Sequence, residues 1–150
     1  MRLLVNLFCR DIVAQAAFYG RVVGAAEAES KRSPIYRALA VGEAELGFNA
    51  HAAHALLGVA ERQRPPVADE AAPPAVTAFP TFELASPEAV EASAGRIEAS
   101  GGRLLKPPFA TYYGQWQAVG EDPERNVFRL AAPMLPAGVV PPRLDDLLPP

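Results

Sequence analysis

The chain is short of several residue types and patterns that usually announce a function. Among its 150 residues there is one cysteine, Cys9, which excludes an internal disulfide and a cysteine-rich zinc site. It carries no excess of cations: 14 Lys+Arg against 17 Asp+Glu give a formal charge of -3. A surface of that balance releases no counterions from a phosphate backbone, so nucleic acid is not an expected partner. No apolar run approaches the ~20 residues that span a bilayer, and the N-terminus lacks a signal-peptide core, so no membrane partner is expected. A reducing cytoplasm is the expected location. What the chain does have is 50% hydrophobic residues and 16 prolines. That composition suits one compact domain or two half-size lobes, burying about 70% of the unfolded surface.

Residues 2–9 form an apolar run broken at Asn6, which reads as a buried strand. Asp11 is placed to cap a helix whose apolar stripe is Ile12, Ala16, Tyr19 and Val23, widened by Phe18 and Val22; Gly24 supplies a left-handed stop. Residues 35–41 and 43–48 read as a hairpin turning at Gly42, and 51–59 as a short helix. A Pro-rich linker follows, after which the order repeats. Residues 76–84 are strand-like, with Pro80 confining them to an edge. Ser86 caps a second helix that buries Ala89, Val90, Ala94 and Ile97 and stops at Gly101-Gly102. Strands are expected at 103–106, 112–121 and 126–131.

The repetition also shows in short matches. Gly20-Arg21-Val22 precedes Gly95-Arg96-Ile97 by 75 positions, and Ala40-Val41-Gly42-Glu43 precedes Ala118-Val119-Gly120-Glu121 by 78. The order predicts an α+β fold of two tandem βαβββ modules, a curved mixed sheet enclosing a central cleft. The modules span 1–60 and 76–132, separated by a linker at 61–75 and followed by a Pro-rich tail at 133–150.

Two segments carry a family likeness. The run from Asp11 to Tyr19, closed by Gly24, resembles the helical opening of the glyoxalase/bleomycin-resistance/extradiol-dioxygenase (vicinal oxygen chelate) superfamily. Tyr113-Gly114-Gln115-Trp116-Gln117-Ala118, then Asp122-Pro123-Glu124-Arg125-Asn126-Val127-Phe128, resembles its closing segment, with Arg125 where the family usually has Gly. The resemblance implies the paired-module fold, a small-molecule ligand and a homodimer. Its enzymes hold a divalent ion with His, Gln or Glu on the first and last strands of each module. The matching positions here are Leu4, Gly47, Phe79 and Arg129, and a slip of one residue offers only Val5, Leu46, Phe48, Pro80, Phe128 and Leu130. No metal and no cofactor is therefore expected.

Strand alternation places Leu4, Asn6 and Phe8 on one side of the first strand, with Val5, Leu7 and Cys9 toward the helix. Phe79, Thr81 and Glu83 take the matching side in the second module. The candidate ligand-binding set is thus Asn6, Phe8, Phe79, Thr81, Glu83, Tyr113, Trp116 and Arg129, with Glu83 the one catalytic candidate. Glu83 and Arg129 are expected to pair, either filling a lost metal site or recognising a polar ligand. Tyr113 and Trp116 offer flat faces for a planar compound. Tyr36 and Arg37 are weaker candidates. His51 and His54 lack a third ligand and read as a solvated pair, and Lys31-Arg32 as a solvated turn. Two functions stay open: a metal-independent binder of an aromatic, antibiotic-like compound, or a lyase, isomerase or dioxygenase with an atypical active site.

Overall fold

The computed structural model describes residues 4–62 and 76–146. The chain divides into two compact units, Met1–Ala75 and Val76–Pro150. Each runs strand–helix–strand–strand–strand and closes its own four-stranded mixed sheet. Most of the expected linker, 63–75, lies outside the described residues.

The first unit comprises β1 (Leu4–Cys9), α1 (Ile12–Val23), β2 (Ala26–Glu27), β3 (Tyr36–Val41), β4 (Ala44–Ala50) and the short α2 (Ala53–Leu56). Asp11 caps α1 as expected: its Oδ1 accepts from the Val13 and Ala14 N–H groups at 3.0 and 2.9 Å. Gly24 ends the helix at φ 73°, where an L side chain would be strained. The stripe Ile12, Ala16, Phe18, Tyr19 and Val22 is buried, and the Tyr19 ring lies on Phe48 at 5.6 Å. Sheet order is β1-β4-β3-β2, with β1 parallel to β4. Cys9 is fully buried, a small core side chain whose Sγ lies 3.7 Å from the Leu7 carbonyl oxygen. The two-residue β2 has no sequence signal: Ala26 and Glu27 gain strand geometry only by pairing with Ala40 and Leu39.

The second unit comprises β5 (Thr81–Glu83), α3 (Pro87–Ala99), β6 (Arg103–Ala110), β7 (Trp116–Glu121) and β8 (Val127–Ala132), in the order β5-β8-β7-β6. Ser86 accepts from the Ala89 N–H, and Val90, Ala94 and Ile97 are buried; Ala89 is only half-buried. Three strands depart from expectation. The first, expected at 76–84, is only three residues long: Pro80 accepts from the Arg129 N–H but has no N–H to return, so the ladder stops there. β6 continues through Pro107-Pro108 to Ala110, because as an edge strand it absorbs two prolines with two shifts of register. β7 starts at Trp116 and not at 112, because Thr111 folds 111–115 into a turn. The Thr111 hydroxyl donates to the Gln115 carbonyl and accepts its N–H, and Gly114 sits at φ 85°.

The helix match at 75 positions joins equivalent places, since both caps and both helices carry that spacing. The match at 78 does not. Gly42 turns the β3–β4 hairpin at φ 55°, whereas Gly120 lies inside β7 opposite Phe128. Beyond β8, residues 133–143 carry no helix or strand and end at a 3-10 turn, Leu144–Asp146.

Candidate functional site

In each unit one sheet face packs on the helix. The ladders assign the other face residue by residue, since cross-strand partners share a side.

In the first unit that face carries Leu4, Asn6 and Phe8 from β1, opposite Glu45, Gly47 and Asn49 of β4, with Tyr36 of β3 opposite Asn49. Polar side chains close it. Asn49 Nδ2 donates to Asn6 Oδ1 at 3.3 Å, and the Tyr36 hydroxyl donates to Glu45 Oε1 at 2.9 Å. Glu45 is buried and also bonded to Lys31; Lys31 and Arg32 lie exposed in the turn, as expected, and are tied there to carboxylates. Arg32 in turn grips Glu27 through two bonds, at 2.8 and 2.7 Å. The space beside Gly47 is taken: a Cβ there would lie 2.2 Å from Asn6 Oδ1 and 2.5 Å from the Tyr36 hydroxyl, so both side chains would have to shift. The Phe8 ring is covered on one side by His54, stacked at 3.6 Å. His54 is buried and donates from Nδ1 to the His51 carbonyl at 2.9 Å, which corrects the expected solvated pair. Helix α2 brought it down onto the sheet, a packing event without a local signal.

Burial, the hydrogen bond to Glu45 and that carboxylate's charge push the Tyr36 hydroxyl up to about 12. The folded chain therefore holds this proton at pH values where the unfolded chain has released it. The associated stability is complete below about pH 10 and is lost as pH rises toward about 12, by on the order of 1 kcal/mol once screening by solvent is allowed for. Urea unfolding across that window should show the loss in the native chain and a smaller one in Tyr36→Phe.

In the second unit the open face carries Thr81 and Glu83 of β5, Arg129 and Ala131 of β8, and Gln117 and Val119 of β7. Thr81 stands opposite Arg129 as Asn6 stands opposite Gly47. Arg129 Nε donates to Thr81 Oγ1 at 3.1 Å, and Nη1 reaches the Tyr113 hydroxyl at 3.5 Å. Its Cζ lies 5.3 Å from the centre of the Phe79 ring, within the range of a cation–π attraction. Buried Gln117 donates to Tyr113 at 2.8 Å and to Gln115 Oε1 at 2.8 Å, fixing the hydroxyl from behind.

The expected Glu83–Arg129 pair does not form. Glu83 is exposed beside Ala131, two rungs beyond the Thr81–Arg129 rung, and the Arg129 side chain turns to Thr81 and Tyr113 instead. Trp116 also departs from its assigned role. Opposite Ala132, it shares the parity of Ala118 and Gly120, and a Cβ at Gly120 would meet Ile97 of α3. Trp116 thus belongs to the helix side of the sheet, where its indole N–H is buried without a hydrogen-bond partner among the described residues. The turn that delays β7 sets this parity. Sequence reasoning also missed Thr111 and Gln117, which hold Tyr113 in place; Thr111-x-x-Gly114 was the available signal.

These residues do not fit the divalent ion that the fold's enzymes hold. Leu4 and Phe79 have no donor atoms, the space beside Gly47 is taken by Asn6 and Tyr36, and Arg129 is a cation. Both Glu45 oxygens are bonded to Tyr36 or Lys31. Among the described residues no three His, Cys, Asp or Glu side chains cluster as metal ligands, and no helix is long and apolar enough to cross a membrane.

Comparison with protein families matches residues 3–130 to the Glyoxalase/Bleomycin resistance protein/Dioxygenase superfamily. The chain belongs to that family. A solved structure of a family enzyme from Burkholderia phytofirmans PsJN is 41% identical, with 87% of this chain and 97% of that one covered and a TM-score of 0.77. Lactoylglutathione lyase from Agrobacterium tumefaciens (17% identical, 87% and 91% covered, TM-score 0.60) shares the fold. So does the fosfomycin resistance protein FosX from Listeria monocytogenes (18%, 89% and 93%, 0.60). Comparison with curated proteins gives no match.

Proposed function

We propose that this protein is a metal-independent member of the family that binds a small aromatic, antibiotic-like molecule. The observation that carries the reading is the content of the ion-ligand positions. Where the family's enzymes need oxygen or nitrogen donors, this chain has Leu4, Gly47, Phe79 and Arg129, and the neighbouring polar groups are bonded to one another. Sequestration needs affinity alone, which an aromatic ring and a fixed guanidinium can supply. A cytoplasmic homodimer is part of the same proposal, on family resemblance.

A second reading, an atypical lyase, isomerase or dioxygenase, draws on the description of the Burkholderia phytofirmans relative as an enzyme. Glu83 is its acid–base candidate. The two readings separate on metal analysis of the purified protein combined with thermal shifts in Mg, Mn, Fe, Ni and Zn ions. The binding reading expects no stoichiometric metal and no gain in Tm. A bound ion at 100 times its Kd would add about 2.7 kcal/mol, raising Tm by several degrees and overturning that reading.

A further inference from the structure

We propose that Arg129, Thr81, Tyr113 and Phe79 form a recognition subsite for the carboxylate of an aromatic acid. The inference rests on the small-molecule-binding reading and names the ligand class that reading leaves open.

The subsite is built from donors. A guanidinium has five N–H groups and no acceptor. Arg129 commits Nε to Thr81 and, at the limit of hydrogen-bond distance, one Nη1 proton to Tyr113. Among the described residues it has no carboxylate partner, so the rest of its fork is available. Both hydroxyls accept in these bonds. Thr81 Oγ1 takes the Arg129 Nε–H, and the Tyr113 oxygen takes bonds from Gln117 and Arg129. Their own protons are therefore free to be given to something else. What meets all three is a group that only accepts, and a planar carboxylate matches the guanidinium fork in two parallel bonds.

The apolar half of the ligand follows from Phe79. Its ring lies under the guanidinium and is 46% exposed, while the neighbouring Tyr113 is 49% exposed. Aromatic surface left open beside an uncompensated cation favours an aromatic body attached to the anion. Glu83 sets a limit on the site. It lies two residues along β5 from Thr81 on the same face, about 7 Å away at the rise of a strand, and repels any anion bound there.

The test is titration of the full-length protein, by calorimetry, with benzoate, its neutral isostere benzamide, and inorganic phosphate. Benzoate should bind at least about tenfold more tightly than benzamide, and phosphate more weakly than benzoate. Arg129→Gln should abolish the preference for the acid, so that benzoate binds no more tightly than benzamide. Tyr113→Phe should weaken benzoate several-fold, with urea unfolding run beside it because buried Gln117 also loses an acceptor. Glu83→Gln should tighten it by about threefold. Equal affinity for acid and amide, a preference that survives Arg129→Gln, or no benzoate binding at millimolar concentration overturns the proposal. Phosphate binding as tightly as benzoate overturns its aromatic part. Benzamide binding without an acid preference sinks this subsite yet spares the binding reading, whereas a stoichiometric metal defeats that reading and leaves the Arg129 result interpretable by itself.

Discussion

Asp122→Ala is expected to cost about 3 kcal/mol of stability, more than loss of any exposed polar group should. The carboxylate is buried at the turn between β7 and β8, where it does the work of several partners. Oδ1 accepts from the backbone N–H groups of Glu124 and Asn126 at 2.8 and 2.9 Å, and Oδ2 accepts from Asn126 Nδ2 at 2.9 Å. These bonds close a turn in which Arg125 is held at φ 69°, a conformation costing a non-glycine residue roughly 1 kcal/mol. Removing the carboxylate leaves three donors without this acceptor in a turn that already carries strain. Asp122→Asn keeps an acceptor for the backbone and should fall between, near 1–2 kcal/mol. Urea unfolding with an unchanged m-value is the measurement. A loss below 0.5 kcal/mol, the scale of ordinary surface changes, would show that the turn holds without its anchor.

That turn was legible in advance because its chemistry is local. Asp122-Pro123-Glu124-Arg125-Asn126 announces itself by residue type, as do the caps Asp11 and Ser86 and the stop at Gly24. The two-module order followed from them. What escaped notice depends on partners distant in the chain. Nothing near Ala26 predicts a strand, and nothing near His54 predicts that it will stack on Phe8. The candidate site divides along the same line. Asn6, Phe8, Thr81 and Glu83 fall on the expected face because strand parity is a local rule. Trp116 does not, because the Thr111 turn shifts where β7 begins, and the parity of every later residue is counted from the ladder that forms. The Glu83–Arg129 pair failed for a different reason: same-face placement brings two charges near, yet Thr81 and Tyr113 offer the guanidinium nearer acceptors.

The two modules thus fill equivalent rungs in opposite ways. At Asn6–Gly47 the side chain is deleted, and neighbours from β1 and β3 move into its volume. At Thr81–Arg129 a long cation is installed and tied down from two sides. Neither rung holds an unpaired buried charge, which would cost several kcal/mol. The second leaves donors of a cation unused, which suits that module to an anion.

Gly120→Ala should be destabilising by about 3 kcal/mol, the upper end for overpacking, and should disturb ligand binding from the opposite face of the sheet. A Cβ at Gly120 would lie 2.6 Å from Phe128 Cζ and 2.8 Å from Ile97 Cδ1, and both side chains are fully buried with nowhere to retreat. Gly95→Ala is the matched control. It lies in α3 with nothing near its absent Cβ, so the same chemical change should stabilise by up to about 1 kcal/mol. Ile97→Val removes the nearer methyl, so the double variant with Gly120→Ala should lose less than the two single losses combined. The link to function runs through β8: Phe128, which must move, adjoins Arg129, whose side chain projects from the other face toward Thr81. Benzoate affinity should therefore fall in Gly120→Ala and recover in the double variant, even though neither substituted side chain reaches the open face. Unchanged benzoate affinity in Gly120→Ala would mean that the position of Arg129 is set by Thr81 and Tyr113 alone.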